Sequence, residues 1–142
     1  MRLNGWFGCA AVLALSLAAS AQANQPVNQD WLRKVPAKER KRVNPFAGNP
    51  AAIAGGHRLF EEHCAECHGA DLEGTAGKPS LRIPIVQQAG DGELFWLLKN
   101  GDLRYGMPSW SSLPAPERWE IIAFLKSWPD GQSPAASKNN AQ

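Results

Sequence analysis

Two thiols stand three residues apart, followed at once by an imidazole, in Cys64-Ala65-Glu66-Cys67-His68. Spacing of this kind suits three chemistries: a thioredoxin-like redox pair, half of a zinc site, or covalent attachment of a c-type haem. A zinc ribbon needs a second pair of ligands, and the one further cysteine, Cys9, lies in an apolar N-terminus. A redox pair calls for a strand before it and a thioredoxin fold around it. The residues before Cys64 instead carry Ile53, Leu59 and Phe60 on one side of a helix.

Haem attachment accounts for all three side chains together. Two thiols nearly one helical turn apart add to the two vinyl groups of one porphyrin, and the next residue brings its imidazole to the iron. Cys64 and Cys67 are therefore the predicted covalent anchors and His68 the proximal iron ligand. The odd total of three cysteines then resolves without a free thiol or a disulfide, provided that Cys9 is lost. Residues 1–23 read as a signal peptide: Arg2, an apolar run from Trp6 to Ala19, and Ala21-Gln22-Ala23 as the small-x-small cleavage site. The alternative, an uncleaved anchor, has an apolar run shorter than the roughly 20 residues that span hydrocarbon. The expected location is the periplasm, where c-type haem is attached, with no stable membrane insertion after cleavage.

Charge narrows the partners. Lys plus Arg exceeds Asp plus Glu by only two, 15 against 13, too little for a protein that replaces counterions along a nucleic acid. The excess is unevenly spread. Residues 24–50 are polar and basic, with Arg33, Lys34, Lys38, Arg40, Lys41 and Arg42 against Asp30 and Glu39, and read as an extension with too little apolar surface for a core. Residues 51–128 hold the periodic hydrophobicity, are acidic overall, and read as the domain; residues 129–142 read as a flexible tail.

Within the domain the pattern predicts short helices, long loops and no strand. A first helix runs from Ala51 to His63; Asp91 caps a second over Gly92 to Asn100; Pro116 opens a third, with Ile121, Phe124, Leu125 and Trp128 at helical spacing. Residues 69–90 and 101–115 read as loops rich in Gly and Pro. Helices this few make a thin core unless a large apolar group fills the centre.

The second axial ligand follows by elimination. Met1 goes with the signal, so Met107, in Tyr105-Gly106-Met107-Pro108, is the remaining thioether. A Met/His pair closes the coordination sphere and raises the reduction potential relative to two imidazoles, which suits electron transfer rather than oxygen chemistry. The competing ligands are His57 and His63, which read as exposed polar positions on the first helix.

With these residues in place, the chain resembles the class I c-type cytochromes, the small bacterial kind with one haem, over residues 51–128. Gly56 and Phe60 match the family's first-helix Gly and aromatic, and Ile121 with Phe124 match the apolar and aromatic positions of its last helix. The resemblance implies an all-α cytochrome c fold in which those two helices cross closely. It also implies that Pro79, followed by Leu81, accepts a hydrogen bond from the proximal imidazole through its carbonyl, and that Trp96 lies near a haem propionate. A lysine ring like that of the mitochondrial members is not evident, since Glu61, Glu62, Glu66, Asp71 and Glu73 surround the attachment motif. Asn44-Pro45-Phe46-Ala47-Gly48-Asn49-Pro50 is similar to carriers that serve periplasmic quinoprotein alcohol or sugar dehydrogenases.

The expected function is thus a monomeric, non-enzymatic, periplasmic one-electron carrier, taking electrons from such a dehydrogenase and passing them towards a terminal oxidase. Two alternatives remain: a haem subunit bound tightly to a dehydrogenase, using exposed tryptophans with Trp31 as the interface anchor, or a haem peroxidase or gas-binding protein. The basic extension could offer complementary charge to a partner.

Overall fold

The structure, a computed structural model, describes residues 29–75 and 77–128; the proposed signal peptide with Cys9, the first residues of the extension and the C-terminal tail lie outside them. The described residues form seven α-helices and one 3-10 turn, with no strand. In chain order these are α1 (Asp30–Lys34), α2 (Ala37–Arg40), α3 (Pro50–His63), α4 (Ala65–His68), α5 (Pro84–Gln87), α6 (Asp91–Asn100), the 3-10 turn Leu103–Tyr105, and α7 (Ala115–Ser127).

Helix α3 begins because the Asn49 side chain accepts hydrogen bonds from the amides of Ala51 and Ala52, and Pro50 sits where its missing N–H is no loss. It ends at Cys64, whose backbone leaves the helical region. Helices α3 and α7 cross at backbone contact: a Cβ on Gly56 would lie 1.9 Å from the Glu120 carbonyl oxygen. That approach brings Phe60 and Phe124 to 5.4 Å between ring centroids, and both are fully buried. Helix α7 is buried more widely than its four-residue stripe suggests, because Trp119, Ile122 and Ala123 are also enclosed.

Helix α6 starts one residue earlier than expected. Gly90 is its N-cap, the Glu93 carboxylate accepts from the Gly90 amide at 2.8 Å, and Asp91 accepts from the Asn44 amide at 3.0 Å. Helix α5 and the 3-10 turn interrupt the two stretches read as loops; Pro84 opens α5 in the position where proline suits a helix start.

The largest departure concerns residues 29–50. The extension was expected to contribute nothing to a core, yet Trp31 is 5% exposed and Val35 4%, both within the main hydrophobic cluster. The prediction of Trp31 as an interface anchor is corrected: it is spent inside its own chain. Trp119 and Trp128 are likewise buried, and Trp96 and Trp110 half-buried, so the tryptophans do not form an exposed set. Two buried apolar side chains, Trp31 in α1 and Val35 just after it, are hard to notice amid six basic residues. Asn44, 4% exposed, secures it: its Nδ2 donates to the Trp119 carbonyl at 2.8 Å and its Oδ1 accepts from the Phe46 amide.

Candidate functional site

The attachment motif continues α3 through one further helical turn. The amide of Cys64 donates to the Phe60 carbonyl at 2.8 Å, closing α3, and the amides of Cys67 and His68 both donate back to the Cys64 carbonyl. Cys64 and Cys67 thus stand on consecutive turns with their sulfurs unbridged, Cys64 half-buried and Cys67 exposed. Burial, and then the neighbouring Cys67, push the Cys64 thiol up to about 12, so it stays protonated at neutral pH.

Beyond the motif the chain turns back sharply. Gly69, at φ +74°, ends α4, and the Gly74 amide donates to the His68 carbonyl at 2.7 Å. Leu72 holds φ 65° although it is not glycine, and it is completely buried. A left-handed leucine costs about 1–2 kcal/mol, offset here because its carbonyl accepts from both the Leu81 amide and the Ser80 hydroxyl. These contacts fix the segment that carries Pro79.

His68 Nδ1 donates to the Pro79 carbonyl at 3.0 Å. A carbonyl only accepts, so Nδ1 bears the proton and Nε2 keeps its lone pair. Burial lowers the His68 pKa from its ordinary value; the Pro79 bond acts in the opposite direction, and the Lys78 ammonium lowers it further. The result is a neutral imidazole, oriented, with one nitrogen available to a metal.

Met107 lies in the loop after α6. Its amide and carbonyl pair with those of Asp102, at 3.2 and 3.0 Å, and its half-buried side chain packs on the main hydrophobic cluster alongside Cys64, Leu81 and Trp96. Gly101 allows the loop to close over the helix end, because a Cβ there would lie 2.6 Å from the Met107 carbonyl oxygen. The loop carrying Pro79 and the loop carrying Met107 meet: Lys78 Nζ lies 3.0 Å from where a Gly106 Cβ would be. Trp96 is held on α6, and its carbonyl accepts from Asn100 Nδ2.

The two competing histidines are not exposed as expected. His57 is half-buried with its ring 4.8 Å from that of Phe124, and His63 is half-buried 5.3 Å from Trp110. Both rings are used in packing, and each lies near its neighbouring carboxylate, Glu61 or Glu62. Sequence reasoning also missed Lys78, which no motif marks, and Arg118. The latter is 7% exposed, and its Nη1 donates to the carbonyls of Trp110, Ser111 and Leu113, pinning the chain that follows Met107.

The donor set fits a covalently bound haem: two unbridged thiols on adjacent turns, an imidazole with its far nitrogen satisfied, a thioether, and apolar side chains around them. Among the described residues no cluster of three or more His, Cys, Asp and Glu side chains is placed to hold a metal ion by itself. No helix of the described residues is long and apolar enough to cross a membrane.

The chain is similar to several known proteins. The family described as "Cytochrome C oxidase, cbb3-type, subunit III" matches residues 51–125. The cytochrome bc1 complex cytochrome c subunit of Corynebacterium efficiens is 32% identical over 69% of this chain and 34% of that protein, so the chain spans about a third of this relative's length. Cytochrome c550 of Pseudomonas aeruginosa is 25% identical over 78% of this chain and 75% of its own. In three dimensions the fold is similar to cytochrome cL from the marine methylotroph Methylophaga aminisulfidivorans, with a TM-score of 0.54 and 24% identity, covering 80% of this chain and 73% of that one. The family match takes in the whole attachment motif and nearly all of both crossing helices, so the chain belongs to this family and is a class I c-type cytochrome with covalently bound haem c.

Proposed function

We propose that the chain is a periplasmic one-electron carrier whose haem is held by thioether bonds to Cys64 and Cys67 and ligated by His68 and Met107. When bound, haem c supplies the one-electron ferric/ferrous couple. The protein does the rest. Pro79 fixes the orientation of His68 and makes its Nε2 a better electron donor, while a thioether from Met107 favours the reduced state relative to a second imidazole. Phe60, Leu72, Leu94 and Phe124 exclude water from the interior, which limits the reorganisation that accompanies a change of charge.

What supports this reading is an imidazole whose Nδ1 is already engaged by Pro79, together with a half-buried methionine whose amide and carbonyl are both bonded to Asp102. Such a site offers two neutral ligands held by their own loops. The donor would be a periplasmic dehydrogenase, with a quinoprotein alcohol or sugar dehydrogenase favoured, and the acceptor a terminal oxidase. A 29% match over 80% of this chain to quinohemoprotein alcohol dehydrogenase ADH-IIG of Pseudomonas putida, covering 14% of that protein, supports the donor class.

A second reading has its own support, since several relatives are named as subunits of larger assemblies, the bc1 complex and cbb3 oxidases. In it the chain is a haem subunit bound permanently to its redox partner. Absorption spectra in both oxidation states, with and without carbon monoxide, test the ligand set. A sulfur-to-iron charge-transfer band that Met107→Ala abolishes, with no carbon monoxide binding to the native ferrous protein, is the expected result. Rapid carbon monoxide binding to the native protein would overturn it in favour of a gas-binding or peroxidase role. Co-elution with a dehydrogenase or oxidase from the native host would select the bound subunit over the diffusing monomer.

A further inference from the structure

The basic segment before α3 lies outside the residues matched by the family, and it does not present its charge to solvent alone. It packs on the first half of α6 and reaches a residue just past the helix end. At the helix start the Asn44 amide donates to Asp91. Two residues on, Arg40 pairs with Glu93 and donates to the carbonyls of Leu32 and Val35, tying α1 to α2 and both to α6. Contact between the two is at backbone distance, since a Cβ on Gly92 would lie 1.8 Å from the Glu39 carbonyl oxygen. Arg42 places its guanidinium 4.1 Å from the Phe95 ring centroid. Past the helix end, Lys34 Nζ reaches Asp102 Oδ1 at 3.6 Å.

Asp102 is the residue whose amide and carbonyl both pair with Met107. The segment therefore grips α6 at its start and, at its finish, the backbone rung that holds the Met107 loop. The asymmetry of a basic extension and an acidic domain has its complement inside the chain, in Asp91, Glu93 and Asp102.

We propose that residues 30–44 form an intramolecular clamp that positions the Met107 loop, with Lys34 and Asp102 as the positioning pair and Gly92 as the seat of the clamp. The proposal rests on Met107 being the distal ligand. Because an added ligand binds the iron only when the methionine leaves, its apparent affinity measures the fraction of molecules with the loop released. A clamp that holds the loop down keeps that fraction small.

The test uses the haem-loaded full chain in the ferric state, titrated with imidazole and followed by loss of the sulfur-to-iron band. Lys34→Gln is expected to raise apparent imidazole affinity by about two- to fivefold, the range of a partly exposed ion pair. Lys34→Arg should retain native affinity, and adding Asp102→Lys to Lys34→Glu should reverse most of the rise that Lys34→Glu alone causes. Gly92→Ala, which lifts the segment off its seat, is expected to raise affinity about tenfold or more, beyond the loss of a single ion pair. The denaturation midpoint of Lys34→Gln should stay close to native, as for other surface changes. Unchanged imidazole affinity in both Lys34→Gln and Gly92→Ala would overturn the clamp, as would a rise that tracks general destabilisation and is not recovered by the swapped pair. Absence of the sulfur-to-iron band in the native protein would instead overturn Met107 as ligand, and the clamp with it.

Discussion

The ring nitrogen Nδ1 of His68 lies 3.0 Å from the carbonyl oxygen of Pro79, eleven residues later in the chain. Between them the chain turns at Gly69 and Gly74, both at positive φ, and at Leu72, which accepts the same conformation without being glycine. The hydrogen bond is thus a product of the whole loop, held by Ser80 on the Leu72 carbonyl and by Thr75 on the Cys67 carbonyl.

Acid should expose the balance of charges around this imidazole. Burial is the largest influence lowering the His68 pKa, Lys78 lowers it further, and the Pro79 carbonyl opposes both. Since the folded value is depressed, the stability tied to neutral His68 is complete above the unfolded value of about 6.5 and is lost as pH falls through the folded value. Lys78→Gln removes one lowering influence, so protons should compete for His68 at higher pH. An absorption titration of the haem-loaded protein is expected to show the acid transition of the variant above that of the native chain; an equal or lower midpoint contradicts the role assigned to Lys78.

The crossing of α3 and α7 should tolerate one of its adjacent glycines far better than the other. A Cβ on Gly56 would meet the Glu120 backbone oxygen at 1.9 Å, whereas one on Gly55 would meet the Glu120 carboxylate, the end of a movable side chain, at 2.6 Å. Gly56→Ala is expected to destabilise by about 3 kcal/mol or more. For Gly55→Ala the gain in helix propensity, about 1 kcal/mol, should offset most of the adjustment. Denaturant unfolding of the two haem-loaded variants gives the comparison.

Trp31 discriminates between a core role and a docking role. Truncation of an interface anchor leaves the isolated protein near its native stability, whereas Trp31→Ala in a side chain 5% exposed should cost about 3–5 kcal/mol. Thermal or denaturant unfolding of the purified variant, with no partner present, decides it.

Arg118 supplies one nitrogen to three carbonyls in the segment after Met107, and its guanidinium also lies 4.8 Å from the Phe95 ring centroid. Arg118→Met keeps much of the volume and removes the donor, so the loss should be about 2–3 kcal/mol. Limited proteolysis should show residues 108–114 cleaved earlier in the variant. Protection equal to the native chain would mean that the loop is held by other contacts.

Much of this protein is written locally. Cys64, Cys67 and His68 declare their chemistry because haem attachment depends on spacing within one helical turn, and α3, α6 and α7 follow from hydrophobic periodicity and from Asn49, Gly101 and the prolines near their starts. The crossing glycine was legible only through the resemblance to the c-type cytochromes, which matches Gly56 to the family's first-helix glycine. Leu72 could not, since nothing in a leucine announces a left-handed backbone, and Lys78 could not, since its importance lies in reaching Gly106 on a different loop.

The charge of residues 24–50 marks the boundary between the two kinds of information. From the sequence alone a run of lysines and arginines is a solvated arm or a docking surface, and the chemistry of the haem site can be named without it. Only the folded chain brings Arg40 to Glu93, 53 residues away, and Lys34 to Asp102, turning the arm into part of the core and linking it to Met107. The sequence by itself determined the cofactor and the three long helices, because those depend on neighbours a few residues apart. Tertiary structure decided what the arm is for, because complementarity between distant charges has no local period by which it can be read.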